Sequence, residues 1–346
     1  MIRFNSDYLE GAHPRILEKL ADTNMAQTPG YGEDMFCERA RDTIRRLCGA
    51  PDADVHFLVG GTQANATVLA AALLPYQGAI SADTGHIAVH ETGAIEAGGH
   101  KVIALKNTNG KLDAGQISEC CRAHFSDESH EHMVMPAAVY ISNPTEVGTL
   151  YSRGELEALR AVCDQWNLTL YLDGARLGYG LASPENTLDL PLIARLCDVF
   201  TIGGTKQGLL FGEAVVIRKD SLKKNFRYFI KQHGGMLAKG RLLGVQFEEM
   251  LKDGLYMELS RHAIEQAMRL RDAIRALDIP TLVDSPTNQQ FPILPNVVLP
   301  LLAEKYSYAT IERVDARHTA VRFCTSWATR PADVDRLIED LGKLLG

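Results

Sequence analysis

Near its middle the chain reads Thr169-Leu170-Tyr171-Leu172-Asp173-Gly174-Ala175-Arg176, an apolar run that ends in an acidic residue followed by glycine, alanine and arginine. A short apolar run of this kind is typical of a strand that is buried on both faces of a sheet. A helical pattern with apolar residues three and four apart, Glu155 to Trp166, comes directly before it. A helix that leads into a buried strand indicates the crossover connection of a parallel sheet.

The same alternation extends in both directions along the chain. Seven apolar runs are candidate strands, at residues 56–59, 78–81, 101–105, 137–141, 169–172, 199–202 and 214–217. Further helical patterns lie between them, at residues 63–74 and 190–196. We therefore predict an α/β fold with a mostly parallel, seven-stranded sheet that binds ligands beyond the carboxyl ends of its strands.

After residue 217 the pattern changes. Helical patterns from 240 to 255 and from 258 to 277 form one nearly continuous run, and a proline-rich stretch, a strand at 320–324 and a closing helix at 331–345 follow. This predicts a large domain over residues 15–250 and a smaller C-terminal α/β domain over residues 251–346.

Charge and hydropathy exclude several classes of partner. The 346 residues include 36 Lys and Arg against 43 Asp and Glu, a net charge of −7, with no long basic run, so neither nucleic acid nor a membrane surface is an expected partner. No apolar run approaches the ~18 residues that span a bilayer, and the N-terminus is too polar for a signal peptide.

Seven cysteines without metal-type spacing indicate reduced thiols in the cytoplasm. His124, His130 and His132 lack a carboxylate or cysteine framework, so no metal site is predicted.

Three motifs carry chemistry, and the first runs from Val59 to Asn65. A predicted strand leads there into Gly60, Gly61 and Thr62 and then into a helix. Glycines let backbone N–H groups approach an anion, and the Thr62 hydroxyl can cap the helix or bind an oxygen, so the turn suits one phosphate group. It is neither a Walker A loop nor a dinucleotide turn. The alternative is a plain glycine-rich turn with a threonine cap.

The second and third motifs lie at the ends of two later strands. Asp173 can hold a protonated ring nitrogen while Arg176 binds a carboxylate, unless Asp173 merely caps a helix and pairs with Arg176. Lys206 ends the run Gly203-Gly204-Thr205-Lys206, where desolvation favours a neutral Schiff-base nucleophile; the alternative is a surface lysine on a turn. A phosphate-binding turn, a carboxylate for a ring nitrogen and a reactive lysine are the set that pyridoxal 5'-phosphate requires, so this cofactor is predicted.

Over nearly its whole length the chain resembles the threonine aldolase / aromatic amino acid β-eliminating lyase family of fold type I pyridoxal-phosphate enzymes. The resemblance rests on Ser6-Asp7, Tyr31-Gly32-Glu33-Asp34, Gly61-Thr62, His86 with Glu91, Asp173-Gly174-Ala175-Arg176, Thr205-Lys206 and Val321-Arg322-Phe323-Cys324-Thr325. It implies a transferase-like fold, an N-terminal segment of residues 1–14 that contributes to the active site, and a homodimer or homotetramer with shared active sites.

The resemblance also implies individual roles. Toward the cofactor these are covalent attachment by Lys206, a bond to the ring nitrogen from Asp173, a ring stacked under His86, and contacts from Gly61, Thr62, Arg176 and Thr205. Toward the substrate they are contacts from Ser6, Tyr31, Thr145, Arg176 and Arg322. From the residues alone, His86 could equally be a surface histidine in a loop, and Arg322 could pair with Asp315 or Glu312.

Two segments depart from the family pattern. Ser142-Asn143-Pro144-Thr145-Glu146 stands where many threonine aldolases carry Asn-Thr-His, which aligns Thr145 with that histidine. Gly234-Gly235-Met236-Leu237 stands where a Gly-Gly-Met-Arg run reaches the neighbouring subunit's site, with Lys239 and Arg241 as candidate substitutes. The first departure is closer to the low-specificity, phenylserine aldolase side of the family, and a smaller residue at Thr145 predicts room for bulky β-substituents.

The predicted reaction is retro-aldol cleavage of a β-hydroxy-α-amino acid, such as threonine, allo-threonine or phenylserine, to glycine and an aldehyde. Lys206, Asp173 and His86 are the predicted catalytic residues, and the base is either His86 or a water positioned by Thr145. One alternative is β-elimination, in which Lys206 removes the Cα proton and a leaving group departs from Cβ. The other is a non-catalytic protein that binds a phosphate-containing ligand.

Overall fold

All seven predicted strands are present in the computed structural model, which describes residues 1–345. The strands are β1 (Ile2–Arg3), β2 (Asp54–Leu58), β3 (Gln77–Ala82), β4 (Lys101–Leu105), β5 (Met135–Ser142), β6 (Thr169–Asp173), β7 (Val199–Gly203), β8 (Glu213–Ile217), β9 (Gln289–Gln290), β10 (Ile293–Pro295), β11 (Tyr306–Ser307), β12 (Ala309–Arg313) and β13 (His318–Cys324). β2 to β8 form one seven-stranded sheet in the order β2-β8-β7-β6-β5-β3-β4. The pairs among β3, β4, β5, β6 and β7 are parallel, and β8 is antiparallel to both β7 and β2. The predicted α/β fold with a mostly parallel sheet is confirmed.

Helices cover both faces of this sheet. They are α1 (Pro14–Asp22), α2 (Met35–Leu47), α3 (Gly61–Ala72), α4 (His86–Val89), α5 (Ala94–Ala97), α6 (Ala114–Ser126), α7 (Arg153–Gln165), α8 (Leu177–Ala182), α9 (Leu190–Leu196), α10 (Asp220–Lys223), α11 (Phe226–Gln232), α12 (Arg241–Met250), α13 (Leu255–Ala276), α14 (Leu299–Ala303) and α15 (Pro331–Leu345). Alternate residues of each strand enter two separate apolar cores, since successive side chains point to opposite faces. In β6, for example, Leu170 and Leu172 lie in one core and Tyr171 lies in the other.

The long helical run predicted over residues 240–277 is interrupted. α12 ends at Met250, a 3-10 turn covers Lys252–Gly254, and α13 begins at Leu255. Asp253 and Gly254 have φ angles of 55° and 78°. Left-handed backbone cannot continue an α-helix, and aspartate and glycine are among the residues that adopt it most readily. The helical periodicity of the sequence therefore does not reveal this break, which the backbone of these two residues imposes.

A second, antiparallel sheet lies in the C-terminal part of the chain. β10, β13 and β12 are neighbours in that order, and β9 also pairs with β13, so the predicted strand at 320–324 lies within β13. The N-terminus joins this region, because β1 pairs with β11 and Phe4 packs into the core that α13 and α15 share with β13. In the described part of the chain, no helix is long and apolar enough to cross a membrane. The division at residue 250 stays a prediction.

Candidate active site

One cavity of about 270 Å³ lies where β5, β6 and β7 end, at the edge where open α/β sheets bind ligands. Seven residues predicted for the site line it: Gly61, Thr62, His86, Asp173, Arg176, Thr205 and Lys206. The other lining residues are Tyr8, Val59, Gly60, Ser142, Pro144, Glu146, Ala175 and Glu213. The three motifs singled out in the sequence therefore meet in one place.

Asp173 is the last residue of β6, and three donors fix its buried carboxylate. Oδ2 accepts hydrogen bonds from Tyr140 Oη at 2.7 Å and Asn65 Nδ2 at 3.1 Å. Oδ1 accepts one from the backbone N–H of Ala175 at 2.9 Å. The carboxylate is therefore held at the cavity wall, where it can pair with a protonated ring nitrogen.

The phosphate-binding turn opens α3. Gly60 precedes the helix, no side chain caps its first turn, and Gly61 and Thr62 line the cavity. A Cβ atom on Gly60 or Gly61 would meet nothing within 4 Å, so the space in front of the helix is open. Uncapped N–H groups at a helix N-terminus bind phosphate. The threonine-capped turn considered as an alternative is not observed.

Lys206 follows β7 in a 3-10 turn, Thr205–Gln207, and reaches the cavity rather than the molecular surface. The end of β7 can approach the backbone of Ala175 closely because Gly203 has no side chain. A Cβ atom at Gly203 would lie 2.4 Å from the carbonyl oxygen of Ala175. Enclosure by protein, and secondly the charge of Arg176, lower the pKa of the Lys206 ammonium. A lysine in this setting is readily deprotonated and nucleophilic.

His86 is the first residue of α4 and is oriented by a buried glutamate. Its Nδ1 lies 2.7 Å from Glu91 Oε1, which also accepts a hydrogen bond from Asn65 Nδ2 at 2.6 Å. Since Asn65 also donates to Asp173, one network connects the imidazole with the carboxylate at the end of β6. The predicted association of His86 with Glu91 is thus a direct contact, and Nε2 has no hydrogen-bond partner within residues 1–345.

Asp7 already occupies the guanidinium fork of Arg176. Arg176 Nε donates to Asp7 Oδ2 at 2.6 Å and Nη2 donates to Oδ1 at 3.0 Å. A third donor, Asn288 Nδ2, lies 2.9 Å from Asp7 Oδ2. Burial alone would raise the pKa of Asp7, but the Arg176 charge holds it at about 2. The expectation that Arg176 clamps a substrate carboxylate through two nitrogens is therefore modified: among its nitrogens, Nη1 alone makes no bond within the described residues.

Ser6 and Arg322 lie near the site but do not line the cavity. The Ser6 hydroxyl is buried and has no hydrogen-bond partner. Arg322 Nη1 donates to Gln289 Oε1 at 3.1 Å and Nη2 donates to the carbonyl oxygen of Asn5 at 3.3 Å, while its buried Nε is unpaired. Arg322 therefore does not use Asp315 or Glu312, the partners weighed from the sequence.

Tyr31 and Thr145 are not brought to the cavity either. Tyr31 lies on the surface, 48% exposed, beside the Lys231 ammonium. Thr145 is buried, and its hydroxyl lies 2.7 Å from the hydroxyl of Thr149. The next residue, Glu146, lines the cavity instead. Its Oε1 accepts hydrogen bonds from the Ser142 hydroxyl at 2.6 Å and from the backbone N–H of His86 at 2.8 Å. The room expected from a small residue at 145 is therefore not part of this cavity.

Sequence reasoning missed five polar residues of the site: Asp7, Asn65, Tyr140, Glu146 and Glu213. Each lies within or next to a stretch quoted in the sequence analysis, but none has a spacing that marks it as functional. The Ser6-Asp7 pair came closest, because it was quoted for the resemblance. Only the fold shows that Asp7 pairs with a residue 169 positions away.

With the geometry established, comparison with known proteins identifies the family. The family model described as Beta-eliminating lyase matches residues 4–295. The chain belongs to the β-eliminating lyase family. A low specificity L-threonine aldolase of Pseudomonas aeruginosa is 31% identical to this family member over 355 residues, covering 99% of this chain and 98% of that one.

Solved structures agree with this family. A threonine aldolase of Leishmania major is 45% identical, covers 100% of both chains and has a TM-score of 0.97. An aspartate aminotransferase of Thermus thermophilus has a TM-score of 0.72 at 15% identity, with 100% of this chain and 92% of that one covered, which shows the shared fold alone. The predicted family and the predicted fold type I architecture are confirmed.

The β-eliminating lyase family and its fold relatives depend on pyridoxal phosphate, so the predicted cofactor and enzyme class are confirmed. The cavity fits this group. It offers an uncapped helix N-terminus for a phosphate, a fixed carboxylate at Asp173 and a reactive amine at Lys206. These three features lie in one cavity wall, as a single ligand with a phosphate and a ring nitrogen would require.

Proposed function

We propose that this β-eliminating lyase family member cleaves the Cα–Cβ bond of β-hydroxy-α-amino acids and releases glycine and an aldehyde. The observation that carries the proposal is the convergence of Lys206, Asp173, His86 and the α3 N-terminus on one cavity. Relatives that align over nearly the whole chain are named low specificity L-threonine aldolases, which supports the same reaction.

Lys206 would hold pyridoxal phosphate covalently, Asp173 would bind its ring nitrogen, and Gly61 and Thr62 would bind its phosphate. When bound, the cofactor supplies an electron sink for the pair left on Cα. Arg176 would receive the substrate carboxylate through Nη1. Ser6 and Arg322 have unpaired buried groups and are the nearby candidates to assist.

His86 is the base that the geometry supports. Glu91 fixes the proton of the imidazole on Nδ1, which leaves the Nε2 lone pair free to accept the β-hydroxyl proton. The other predicted base, a water positioned by Thr145, is less favoured because that hydroxyl is bonded to Thr149 away from the cavity. General-base help of this kind contributes about 10²- to 10⁴-fold to the rate.

β-Elimination is the second candidate, and the description of the matching family favours it. In that reaction Lys206 would remove the Cα proton. Both reactions use the same cofactor and the same carboxylate contacts. They differ in which bond to Cα breaks, so the products distinguish them.

A panel of four substrates tests the proposal. Purified enzyme is incubated with threonine, allo-threonine, phenylserine and β-chloroalanine, and glycine with aldehyde is quantified beside pyruvate with ammonia. We expect glycine from the hydroxy amino acids. Their kcat/KM values should differ by about 10- to 200-fold at most, because an apolar pocket discriminates weakly between apolar β-substituents of different size. Pyruvate from β-chloroalanine, without glycine from any hydroxy amino acid, would contradict the aldolase and support β-elimination.

We also propose a cytoplasmic homodimer or homotetramer with shared sites. The seven cysteines are all free thiols, in keeping with a reducing compartment. Large apolar side chains are exposed, with Met25 at 87% and Tyr228 at 76%. Arg241 donates to the carbonyl oxygens of Thr23 and Ala26, so Lys239 is the remaining candidate to reach a partner's site.

Light scattering after size-exclusion chromatography tests this assembly. We expect a mass of two or four chains of 38.0 kDa. We also expect specific activity to fall on dilution below the dissociation constant, because a shared site is incomplete in a monomer. A monomer that keeps full activity at low concentration would contradict shared sites.

A further inference from the structure

One acidic residue in the cavity has no part in the mechanism described above. Glu213 is the first residue of β8 and lies opposite Gly203 in the ladder with β7. Its side chain lines the same cavity as Lys206 and is 3% exposed. Its Oε2 atom is buried and has no hydrogen-bond partner. A carboxylate oxygen left unpaired in such a position is costly unless the group can take up a proton.

The other cavity carboxylates are already committed. Asp173 is held by three donors, and Glu146 accepts bonds from the Ser142 hydroxyl and the backbone N–H of His86. Asp7, beside the cavity, is paired with Arg176. Among the carboxyl groups that line the cavity, Glu213 alone has a buried oxygen without a hydrogen-bond donor. It is therefore the cavity carboxyl that is free to gain and lose a proton.

The groups that face Glu213 come from three elements. Lys206 and the Thr205 hydroxyl follow β7, Asp173 ends β6, and the phenols of Tyr171 and Tyr256 approach from β6 and α13. The Tyr256 hydroxyl donates to the carbonyl oxygen of Gly203 at 3.1 Å, and that of Tyr171 donates to Asn65 Oδ1 at 2.6 Å. Neither phenol therefore donates to Glu213, and Lys206 is the cation that faces it.

Burial shifts the two groups in opposite senses. It raises the pKa of Glu213 to about 8, although the Lys206 charge and the Thr205 hydroxyl act in the other direction. It lowers the pKa of Lys206, whose amine also feels Arg176, Asp7 and Asp173. Burial therefore disfavours the charged form of each group, which favours a neutral amine beside a neutral acid.

We propose that Glu213 is the proton-exchange partner of Lys206. The proposal rests on the proposed function, in which Lys206 carries the cofactor. Before its nitrogen reacts, the Lys206 ammonium gives one proton to a Glu213 oxygen, which leaves a neutral amine with its lone pair and a neutral acid. When the substrate displaces the lysine, the proton returns, and no electrons are exchanged. The two groups form no ion pair within 4.0 Å, and the cavity that both line has room for a water to carry the proton.

Glu213→Gln separates this role from a structural one. Glutamine has the shape of the neutral acid but cannot release or bind a proton at this pH. We expect kcat for glycine formation to fall about 10²-fold or more with little change in KM, the usual size of a lost proton-transfer group. We also expect the pH–kcat profile of the wild type to show a limb near pH 8, and we expect the variant to lack it. A variant with wild-type kcat and pH profile would overturn the proposal.

A second measurement does not depend on turnover, and its first readout uses the wild-type protein. Infrared difference spectra of the wild-type protein without cofactor should show a carboxyl group that titrates near pH 8, and Glu213→Asp should shift that titration. The matched control is Glu249→Gln, which removes a largely buried glutamate that is paired with Arg15 outside the cavity. It should leave both kcat and the infrared titration unchanged. No titrating carboxyl near pH 8 in the wild type would overturn the proposal, whereas failure of the aldolase reaction alone would show only in the products.

Discussion

Lys206→Ala is expected to abolish covalent binding of pyridoxal phosphate and to remove measurable turnover. Among the described residues, Lys206 is the lysine that lines the cavity, and its lowered ammonium pKa makes its nitrogen available for attack. The loss should exceed the ~10²- to 10⁴-fold typical of a missing general base, because the attachment itself is removed. Visible absorbance of the purified variant measures the loss.

Mass spectrometry after borohydride reduction locates the attachment in the wild type. The label should lie on the peptide that contains Lys206. Lys219→Ala is the matched control, since Lys219 lies after the far end of β8 and donates to the Thr169 hydroxyl at 3.1 Å. It should bind cofactor as the wild type does. A label on any other lysine would contradict the assignment.

Asp7→Asn is expected to lower the free energy of unfolding by about 3–5 kcal/mol, the usual result of removing one partner of a buried ion pair. It leaves the Arg176 guanidinium buried without its counter-charge, and it weakens the contact with Asn288. Denaturant unfolding measures the change. Asp335→Asn is the control, because its pair with Arg269 is exposed and should contribute no more than about 1 kcal/mol.

The pH dependence of stability gives the same prediction an independent check. The pKa of Asp7 is about 2 in the folded protein against an ordinary value of 3.8. Ionised Asp7 therefore stabilises the fold fully above about pH 4, and this contribution, roughly 2 kcal/mol, is lost as the pH falls through 2. Asp7→Asn should lack that part of the acid dependence. An unfolding free energy within 1 kcal/mol of the wild type at neutral pH would contradict a buried charge pair.

The strands of the large sheet were predictable because they are buried on both faces. β6 and β7 are buried along their whole length and are mostly apolar. Their ends carry Asp173 and the turn to Lys206, so both the fold and its ligand edge follow from local patterns. The break at Asp253 and Gly254 was missed since both flanking segments keep a helical period. The left-handed backbone of Asp253 and Gly254, and not a change in periodicity, separates α12 from α13.

The polar network of the site was less predictable, because its contacts join distant segments. Asn65 is an ordinary residue of α3 by sequence, yet it bridges Glu91 and Asp173. Thr145 and Glu146 are adjacent, and only the turn closed by Thr149 decides that the glutamate faces the cavity. From the sequence, Glu213 is only the polar first residue of a strand. The register of β8 with β7 places it opposite Gly203, in the same cavity as Lys206.

The contacts of Asp7 also join the start of the chain to segments that are synthesised much later. Asp7 is 169 residues from Arg176 and 281 residues from Asn288 along the chain. Contacts between such distant residues form late, since the entropy of closing long loops opposes them until most of the fold is in place. The first residues to leave the ribosome must therefore wait for almost the whole polypeptide. A nascent chain shorter than about 290 residues lacks Asn288, so the contacts that hold Asp7 are incomplete until most of the polypeptide has been made.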